Sequence, residues 1–397
     1  MTVVESPALD ALDERLERDV EQLYLELTEG GRVSPRLAEL VYAAAERLPG
    51  LLPTRAEIDA EREHLQKDKQ GLEIAQGIFA AHVLAHPRTG PHLVHAMTQP
   101  KPGALAALDA FTRDGSIGLG PVRVDRDGRI GHVTIQHHAF LNSEDDASTA
   151  ALETAVDLVL LDDGIDVGVL RGAPATHPKY AGRRILGSGI NLTRLYHGKI
   201  SLVEFMLERE LGVVSKLYRG HALGAFGDED REDRREKPWI AAVETFAIGG
   251  ACQWLLVADR VLAEEGSYFN LPARKEGIIP GCANLRLPRF VGERLARQAI
   301  FFNRTFEAGT PEGRLIADEV VVQGAMGAAI EHAATELTSA GMTSVLANRR
   351  QLRLAQEPLA HFRRYMSGYA RDQARCLYSS ALIDNLERNW DARRRRL

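Results

Sequence analysis

Two glycine-containing segments follow predicted strands, and both could present main-chain N–H groups to a ligand. The first, GRRILGSGINL, spans 182–192, and the second, ETFAIGGACQWLL, spans 244–256 and runs from a strand into a helix. Glycine lets a backbone approach a ligand closely, and Gly249 and Gly250 would open a helix whose first N–H groups lack intrahelical partners. Two such N–H groups can hold an oxyanion. Each glycine cluster taken alone could equally be a tight turn.

Other ligand classes find no matching pattern. Neither glycine segment fits GxGxxG or GxxxxGK[ST], which argues against a dinucleotide or nucleoside-triphosphate site. The adjacent His137 and His138 would point to opposite faces of a strand, and no further histidine and carboxylate stand at the spacing of a facial triad. We therefore expect a structural role for this pair, no metal site and no resident cofactor.

Composition narrows the class of protein. The chain has 397 residues, 49 basic and 55 acidic, a net charge of −6, and 45% hydrophobic residues, which is typical of a soluble globular protein of two or three structural units. No run of about 18 apolar residues occurs, so we expect no membrane partner and no secretion signal. Three well-separated cysteines predict no disulfide framework and fit the cytoplasm.

The charge also bears on partners. A slightly negative chain is not expected to bind nucleic acid generically. The run Arg393–Arg396 is interpreted as a solvated helix end, with contact to a polyanion as the less favoured alternative.

The pattern of apolar residues predicts three regions. Recurrence at Leu9, Leu12 and Leu16, continued in later segments, predicts an all-α domain over 1–117. Over 118–325 strands alternate with helices, which predicts parallel crossovers and an α/β core, and Asp127-Gly128 marks a hairpin. Residues 326–397 are predicted to be a helical C-terminal region that serves oligomerisation or covers the active site.

The glycine segments, in this order and with their flanking text, resemble the signature regions of the crotonase (enoyl-CoA hydratase/isomerase) superfamily. The resemblance rests on LRGAPATHPKYAGRRILGSGINL and ETFAIGGACQWLLVADRVLAEEGSYFNLPARKEGIIPG, and covers about 120–325; HHAFLNSEDD, with Leu141, Asn142 and Ser143, resembles the first strand and turn of that family. It implies an α/β fold with a ββα-spiral core, an all-α N-terminal extension and a helical C-terminal region. It also implies an acyl-CoA thioester as ligand and a homo-oligomer, a trimer or a dimer of trimers.

The same resemblance assigns residues to roles. The backbone amides of Ile190 and Gly250 would hold the thioester oxygen. The two catalytic glutamates of hydratases correspond here to Gln253 and Ala273, and neither can shuttle a proton, which argues against a standard hydratase. Glu276, three residues beyond Ala273, is expected to be a structural or CoA-entrance residue, with a catalytic role as the less favoured alternative.

A narrower resemblance extends over nearly the whole chain. The long helical N-terminus, the Gln in GGACQWLL, the text GSGINLTRLYHGKISLVEFMLERELG and the extended C-terminus are similar to cofactor-free dioxygenases of this superfamily that act on (3,5-dihydroxyphenyl)acetyl-CoA in glycopeptide-antibiotic biosynthesis. This implies a metal- and cofactor-independent reaction with O₂ that passes through an enolate and yields 3,5-dihydroxyphenylglyoxylate and CoA.

The narrower resemblance also implies a substrate site and an oxygen pocket. The substrate-binding residues would be Glu144, Gly189, Arg209 and Gln253. Of these, Glu144, Arg209 and Gln253 would face the aryl group and its hydroxyls, and Gln253 would also be catalytic. The apolar wall of the oxygen pocket would be Ile190, Leu192, Ile278 and Ile279, and the CoA phosphates would meet Lys179, Arg183 and Arg184.

Several alternatives stay open at this stage. The basic residues could be solvated, the apolar ones could be ordinary core, and Glu144 and Arg209 could form an ion pair with only a structural role. The acceptor of the α-proton is not identified. An isomerase, hydrolase or decarboxylase using Glu144 or Glu276, or a non-catalytic CoA-thioester-binding protein, would also fit the sequence.

Overall fold

The computed structural model describes residues 7–227 and 233–397. In these residues the α-helices are α1 (Pro7–Leu27), α2 (Leu37–Arg47), α3 (Arg55–Glu61), α4 (Glu73–Ala85), α5 (Thr89–Thr98), α6 (Pro102–Asp114), α7 (Asp146–Leu161), α8 (Leu192–Tyr196), α9 (Ser215–Arg219), α10 (Gly250–Leu255), α11 (Ala273–Glu276), α12 (Ala283–Phe302), α13 (Met326–Ser339), α14 (Met342–Gln356), α15 (Leu359–Leu377) and α16 (Ser380–Trp390). Two π-helical segments lie at Leu202–Leu207 and Arg209–Val214.

The strands are short and concentrate in the middle of the chain. They are β1 (Ser116–Gly118), β2 (Val122–Asp127), β3 (Ile130–Ile135), β4 (Val167–Gly172), β5 (Gly187–Ser188), β6 (His221–Ala222), β7 (Arg234–Arg235), β8 (Trp239–Val243), β9 (Phe246–Ile248), β10 (Arg260–Glu264), β11 (Tyr268–Asn270), β12 (Phe306–Glu307) and β13 (Glu319–Val321).

The strands form two main sheets. The larger sheet has the order β1-β2-β3-β4-β8-β10-β13, with β1, β2 and β3 antiparallel and the remaining neighbours parallel. The smaller sheet has the order β12-β11-β9-β5, in which β5, β9 and β11 run parallel. The parallel crossovers are confirmed, and so is the hairpin between β2 and β3. Its two turn residues are Gly128 and Arg129 rather than Asp127 and Gly128, because Asp127 still pairs with Ile130 at the end of β2.

A repeated unit generates this arrangement. One strand joins the larger sheet, the next joins the smaller sheet, and a helix follows: β4, β5 and α8; then β8, β9 and α10; then β10, β11 and α11. This is the ββα spiral of the predicted fold class. Helices flank it on both sides in the chain, so the α/β prediction with helical extensions is confirmed.

The helices before and after the spiral share one hydrophobic core. Side chains of Leu16 and Phe79 from the N-terminal helices, Leu207 from the π-helical insert and Phe362 from α15 belong to the same buried cluster. Helices α4 and α15 pack against each other along their length. The three-region division stays a prediction: β1 spans the proposed boundary at 117, and the helical regions are joined through their side chains.

None of the described helices is both long enough and apolar enough to cross a lipid bilayer.

Candidate active site

The loops after β5 and β9 bring Ile190 and Gly250 to the same edge of the smaller sheet. The two strands are parallel neighbours, and Gly189 and Gly249 follow them with φ of 82° and 56°, a region that strains other residues. A Cβ on Gly249 would lie 2.9 Å from the Cα of Gly189 and 3.9 Å from the N of Ile190. Glycine is therefore required for the two strand ends to meet this closely.

Glu144 lies on the other side of the first loop. Its N–H donates to the carbonyl of Gly189 at 2.7 Å, and its own carbonyl accepts from the N–H of Asn191 at 2.8 Å, which fixes its backbone. Its carboxylate accepts from Arg209 Nε at 2.5 Å and from Nη2 at 3.3 Å. A Cβ on Gly250 would overlap Glu144 Oε1 and lie 2.6 Å from Arg209 Nη2. Gly250 is thus glycine because this ion pair occupies the space of a side chain.

Arg209 connects three polar side chains. Beyond Glu144, its Nη1 donates to Glu210 Oε1 at 2.5 Å and to Gln253 Oε1 at 3.1 Å. All four side chains are buried. Burial by itself would lower the pKa of Arg209, but the adjacent carboxylates of Glu144 and Glu210 raise it above its usual value. The guanidinium therefore stays charged, and it contacts both Glu144 and Gln253, the other two residues predicted to face the aryl group.

Glu210 also belongs to this network, and the sequence did not identify it. Its second oxygen accepts from the N–H of Cys282 at 3.2 Å. Consecutive residues of an α-helix point about 100° apart, so Arg209 and Glu210 would not be expected to serve one site. They do so here at the start of a π-helical segment, a conformation that frequently marks functional sites and that no residue pattern predicts.

These side chains line a cavity that we call the inner chamber, with a volume of about 40 Å³. Its remaining wall is largely apolar and comes from the segment after α11 and from α15. The inner chamber is defined by Glu144, Ile190, Arg209, Gly250, Gln253, Ala273, Glu276, Ile278, Ile279 and Tyr369.

A second cavity, which we call the outer cavity, has a volume of about 620 Å³. It is defined by Phe140, His177, Tyr180, Leu192, Lys275, Trp390, Arg395 and Arg396. Ile190, Pro272 and Glu276 line both cavities. These three residues therefore form the junction between the two spaces.

The structure separates the four residues predicted for the oxygen pocket. Ile190, Ile278 and Ile279 line the inner chamber, whereas Leu192 lines the outer cavity. The predicted wall is thus brought together for three of its four members. The position of Leu192, at the first residue of α8, turns it away from the other three.

The residues predicted to contact CoA line neither cavity, although Lys179 lies beside Tyr180, which lines the outer cavity. Arg184 Nη1 donates to the carbonyl of Gly172 at 3.0 Å, the Lys179 ammonium lies 5.1 Å from the centre of the Tyr180 ring, and Arg183 is exposed. Among the described residues that line the outer cavity, the lysine and arginine side chains are instead Lys275, Arg395 and Arg396.

Arg395 is exposed, and its guanidinium also contacts Trp390. Its guanidinium lies 3.8 Å from the centre of the Trp390 ring, and its Nε donates to the carbonyl of the same residue at 2.8 Å. Arg395 and Arg396 are exposed, in keeping with the interpretation of the arginine run as solvated, and they also line the outer cavity.

Glu276 stands at the junction of the cavities and is 7% exposed. Within residues 7–227 and 233–397, no side-chain cation or hydrogen-bond donor contacts its carboxylate. Burial raises the pKa of Glu276 to about 7. Ala273 and Glu276 are three apart on α11, and both face the inner chamber, as neighbours at that helical spacing do.

The adjacent histidines lie beyond the end of β3 rather than on it. His137 Nδ1 is 3.0 Å from the carbonyl oxygen of Ser143, and His138 begins a 3₁₀ turn. This contact ties the turn after β3 together, which accounts for His137 without a ligand.

The comparison with known proteins adds the family. The protein-family model described as enoyl-CoA hydratase/isomerase matches residues 232–365. The (3,5-dihydroxyphenyl)acetyl-CoA 1,2-dioxygenase of Amycolatopsis orientalis is 46% identical over 382 residues, which cover 95% of this chain and 87% of that protein. This chain belongs to the crotonase superfamily. A probable enoyl-CoA hydratase of Rhizobium meliloti (strain 1021) is 26% identical and covers 57% of this chain and 80% of its own length.

Solved crotonase structures match the same fold. An enoyl-CoA hydratase/isomerase from Xanthobacter autotrophicus Py2 superposes with a TM-score of 0.56 at 19% identity, covering 69% of this chain and 95% of its own. One from Pseudoalteromonas atlantica T6c gives a TM-score of 0.54 at 18% identity, covering 70% of this chain and 100% of its own. These likenesses establish the crotonase fold of this chain.

Proposed function

We propose that this chain is a metal- and cofactor-independent dioxygenase. It converts (3,5-dihydroxyphenyl)acetyl-CoA and O₂ to 3,5-dihydroxyphenylglyoxylate and CoA, the activity class in the name of its Amycolatopsis orientalis relative. The observation that supports it most is the position of Ile190 and Gly250, at adjacent strand ends beside a buried carboxylate–arginine network. Crotonase membership supports the acyl-CoA thioester as the substrate class.

The two cavities suggest how the substrate lies. The thioester oxygen accepts hydrogen bonds from the N–H groups of Ile190 and Gly250. The aryl ring enters the inner chamber, where phenolic hydroxyls donate to the oxygens of Glu144, Glu210 or Gln253. The CoA moiety follows the outer cavity, whose cations lie where its phosphates would pass.

Binding must enlarge the inner chamber. A volume of about 40 Å³ holds roughly three water-sized spheres of about 10 to 15 Å³ each, less than an aromatic ring needs. The walls that can yield are the segment with Ile278 and Ile279 and the side chain of Tyr369. Before substrate binds, these walls leave little room in the inner chamber for bulk water.

The oxyanion hole supplies the driving force for carbanion chemistry. A thioester acidifies its α-hydrogens, and an α-aryl ring delocalises the resulting charge further. Each preorganised N–H donor is worth roughly 3 to 4 kcal/mol of stabilisation, by analogy with deletion of one such donor. The resulting enolate is electron-rich enough to transfer one electron to O₂, so the substrate takes the role usually filled by a metal or flavin.

The remaining steps balance with O₂ as the oxidant. Superoxide and the substrate radical combine to a peroxide at the α-carbon, which attacks the thioester carbonyl and expels CoA thiolate. The cyclic peroxide then loses its remaining α-hydrogen, its O–O bond breaks, and an α-keto acid forms with both new oxygen atoms from O₂. One α-hydrogen leaves as the thiol proton of CoA and the other as a free proton. Ile190, Ile278 and Ile279 supply the apolar wall that excludes water from the enolate.

An oxygen electrode and isotope labelling test this proposal. Metal-stripped protein supplied with (3,5-dihydroxyphenyl)acetyl-CoA should consume one O₂ for each CoA released, and ¹⁸O₂ should label the product twice. Release of CoA without O₂ uptake would establish a hydrolase instead. Binding without turnover in air would establish a non-catalytic CoA-thioester-binding protein.

Chelation tests the absence of a metal requirement. In the described residues, Asp127, His132 and Glu331 bring potential ligand atoms within 4.8 Å of one another, and they line neither the inner chamber nor the outer cavity. Chelators should leave the rate of O₂ uptake unchanged in the wild type and in an Asp127→Asn/Glu331→Gln variant. Loss of activity that iron restores in both proteins would contradict metal independence and place the metal outside this cluster.

We also propose that the chain forms homo-oligomers, a trimer or a dimer of trimers. Large apolar side chains on α12 support this, because Phe290, Phe301 and Phe302 are exposed. Light scattering should give a multiple of three chains, and Phe301→Asp/Phe302→Asp should lower the mass. A monomeric wild type would contradict the proposal.

A further inference from the structure

The junction between the cavities contains one buried carboxyl group. Of the three residues that line both spaces, Ile190 contributes its main chain and an apolar side chain, Pro272 has no titratable group, and Glu276 has a carboxylate. Glu276 lines both cavities, and its side chain has no hydrogen-bond partner among the described residues. A group that can accept a proton therefore lies where the two halves of a bound thioester would meet.

The substrate geometry fixes which atom is at the junction. The α-carbon is bonded to both the thioester carbonyl carbon and the aryl ring. With the carbonyl oxygen at Ile190 and Gly250, the ring in the inner chamber and the sulfur toward the outer cavity, the α-carbon lies between the two cavities. We propose that Glu276 is the catalytic base that removes the α-proton, an inference that rests on the proposed function.

The other titratable groups of the inner chamber are less suited to this task. Glu144 and Glu210 both accept hydrogen bonds from Arg209, which engages their lone pairs. Burial raises the pKa of Tyr369 well above its usual value, so its hydroxyl is not a base at neutral pH. Glu276 lies on α11, and it is not hydrogen-bonded to Arg209 or to Tyr369.

The environment of Glu276 matches its role. Burial raises its pKa to about 7, close to the pH at which a general base combines ionisation with proton affinity. On the outer side the cationic groups are Lys275, Arg395 and Arg396, and on the inner side the charged groups form the Arg209 network. No ion pair holds Glu276 permanently ionised among the described residues, so it can cycle between its two protonation states.

One carboxyl can serve each proton transfer of the reaction. In the first step the α C–H bond breaks, its electron pair forms the enolate, and the proton goes to Glu276. When the C–S bond breaks, Glu276 returns that proton to the departing thiolate at the mouth of the outer cavity. The regenerated carboxylate then takes the second α-hydrogen as the O–O bond breaks, and this proton leaves to solvent.

Anaerobic hydrogen exchange isolates the first of these steps. In D₂O without O₂, wild-type protein should exchange the α-hydrogens of (3,5-dihydroxyphenyl)acetyl-CoA for deuterium, followed by NMR. Glu276→Gln should slow exchange by about 10²- to 10⁴-fold, the usual contribution of a general base. Glu276→Asp should retain part of the rate. The matched control Glu307→Gln alters an exposed glutamate on β12 and should exchange like the wild type.

A pH profile provides a readout that a purely structural residue would not move. The wild-type exchange rate should rise with pH and level off above about 7, because only ionised Glu276 accepts the proton. The profile of Glu276→Gln should lack this inflection, while its affinity for CoA, measured by calorimetry, should stay within threefold of the wild type.

The outcomes separate the two proposals. Exchange by Glu276→Gln at the wild-type rate, or no exchange by the wild type, would overturn the assignment of Glu276. If the wild type exchanged α-hydrogens but consumed no O₂ in air, only the dioxygenase proposal would be overturned. Slow exchange by Glu276→Gln would in that case still support Glu276 as the catalytic base. If both variants lose their fold, a wild-type exchange rate without an inflection near pH 7 would overturn the assignment.

Discussion

The inner chamber and the outer cavity differ in size, charge and rigidity. The inner chamber is small, and its charged side chains other than Glu276 are already paired with one another around Arg209. The outer cavity is about fifteen times larger, and its arginines stand at the rim. Paired charges buried in protein keep their geometry, whereas cations at a rim attract a polyanionic ligand from solution.

The contrast shows how binding and chemistry are divided. Substrate contacts in the outer cavity are the same before and during reaction, so they lower KM without raising kcat. Contacts in the inner chamber strengthen as charge develops on the thioester oxygen, so they raise kcat. Changes on either side of the junction at Ile190 and Glu276 should therefore give different kinetic signatures.

Gly250→Ala should have the largest effect. Its Cβ would overlap Glu144 Oε1 and push the ion pair away from the oxyanion position. We expect kcat/KM for O₂ uptake to fall at least 10³-fold, about 4 kcal/mol, with CoA affinity retained because the outer cavity is untouched. The control Gly327→Ala, whose added Cβ meets nothing within 4 Å, should be fully active. An active Gly250→Ala would show that the oxyanion assignment is wrong.

Glu276→Gln should stabilise the protein at alkaline pH. A carboxyl whose pKa rises from 4.5 to about 7 on folding stabilises the fold only while protonated, so stability is lost as pH rises through that interval. Above pH 7 the ionised carboxylate lowers the free energy of unfolding by about 3 kcal/mol. Thermal unfolding midpoints of the wild type and the variant should be similar at pH 4 and diverge by pH 8, with the variant higher. Equal midpoints at pH 8 would mean that the carboxyl is solvated.

Arg209→Lys should damage the inner chamber alone. A lysine keeps the charge but cannot bind Glu144 through two nitrogens while also reaching Glu210 and Gln253. We expect a fall of about 100-fold in kcat/KM, mainly in kcat, or about 3 kcal/mol. Steady-state kinetics would measure it. A rise in KM with kcat unchanged would mean that Arg209 contributes only to substrate binding.

Arg395→Ala/Arg396→Ala should have the smallest effect. Loss of two rim cations should raise KM about 10-fold with kcat unchanged, and the difference should shrink at high salt. Arg394→Ala is the matched control, because its side chain is 85% exposed and pairs with Asp391 rather than lining the cavity. If Arg394→Ala raised KM equally, Arg395 and Arg396 would act only through the overall positive charge of the surface and not through contacts in the outer cavity.

The sequence predicted the parts that depend on local residue types. The two glycine segments, the alternation of strands and helices, and the hairpin are short-range patterns that appear in the structure, with the turn of the hairpin one residue later than expected. The pairing of Ile190 with Gly250 is implied by the family resemblance. The structure brings the two residues together because β5 and β9 are parallel neighbours that end at one edge of a sheet.

The parts that the sequence missed depend on long-range packing. Glu210 reaches Arg209 only because the helix there is π-wound, and Arg395 reaches the outer cavity only because the chain after α16 folds back against Trp390. The position of Leu192 in the outer cavity depends on the direction of a five-residue helix. Neither residue type nor spacing carries information on these directions.

The contact between α4 and α15 has a consequence for protein synthesis. Arg363 on α15 donates to the carbonyl of Leu84, at the end of α4, across 279 residues of chain. Tyr369, on the same helix, is part of the wall beside the thioester site. The strands of the β spiral can therefore be synthesised while that wall is still missing, and the inner chamber gains its Tyr369 side only when translation has passed α15.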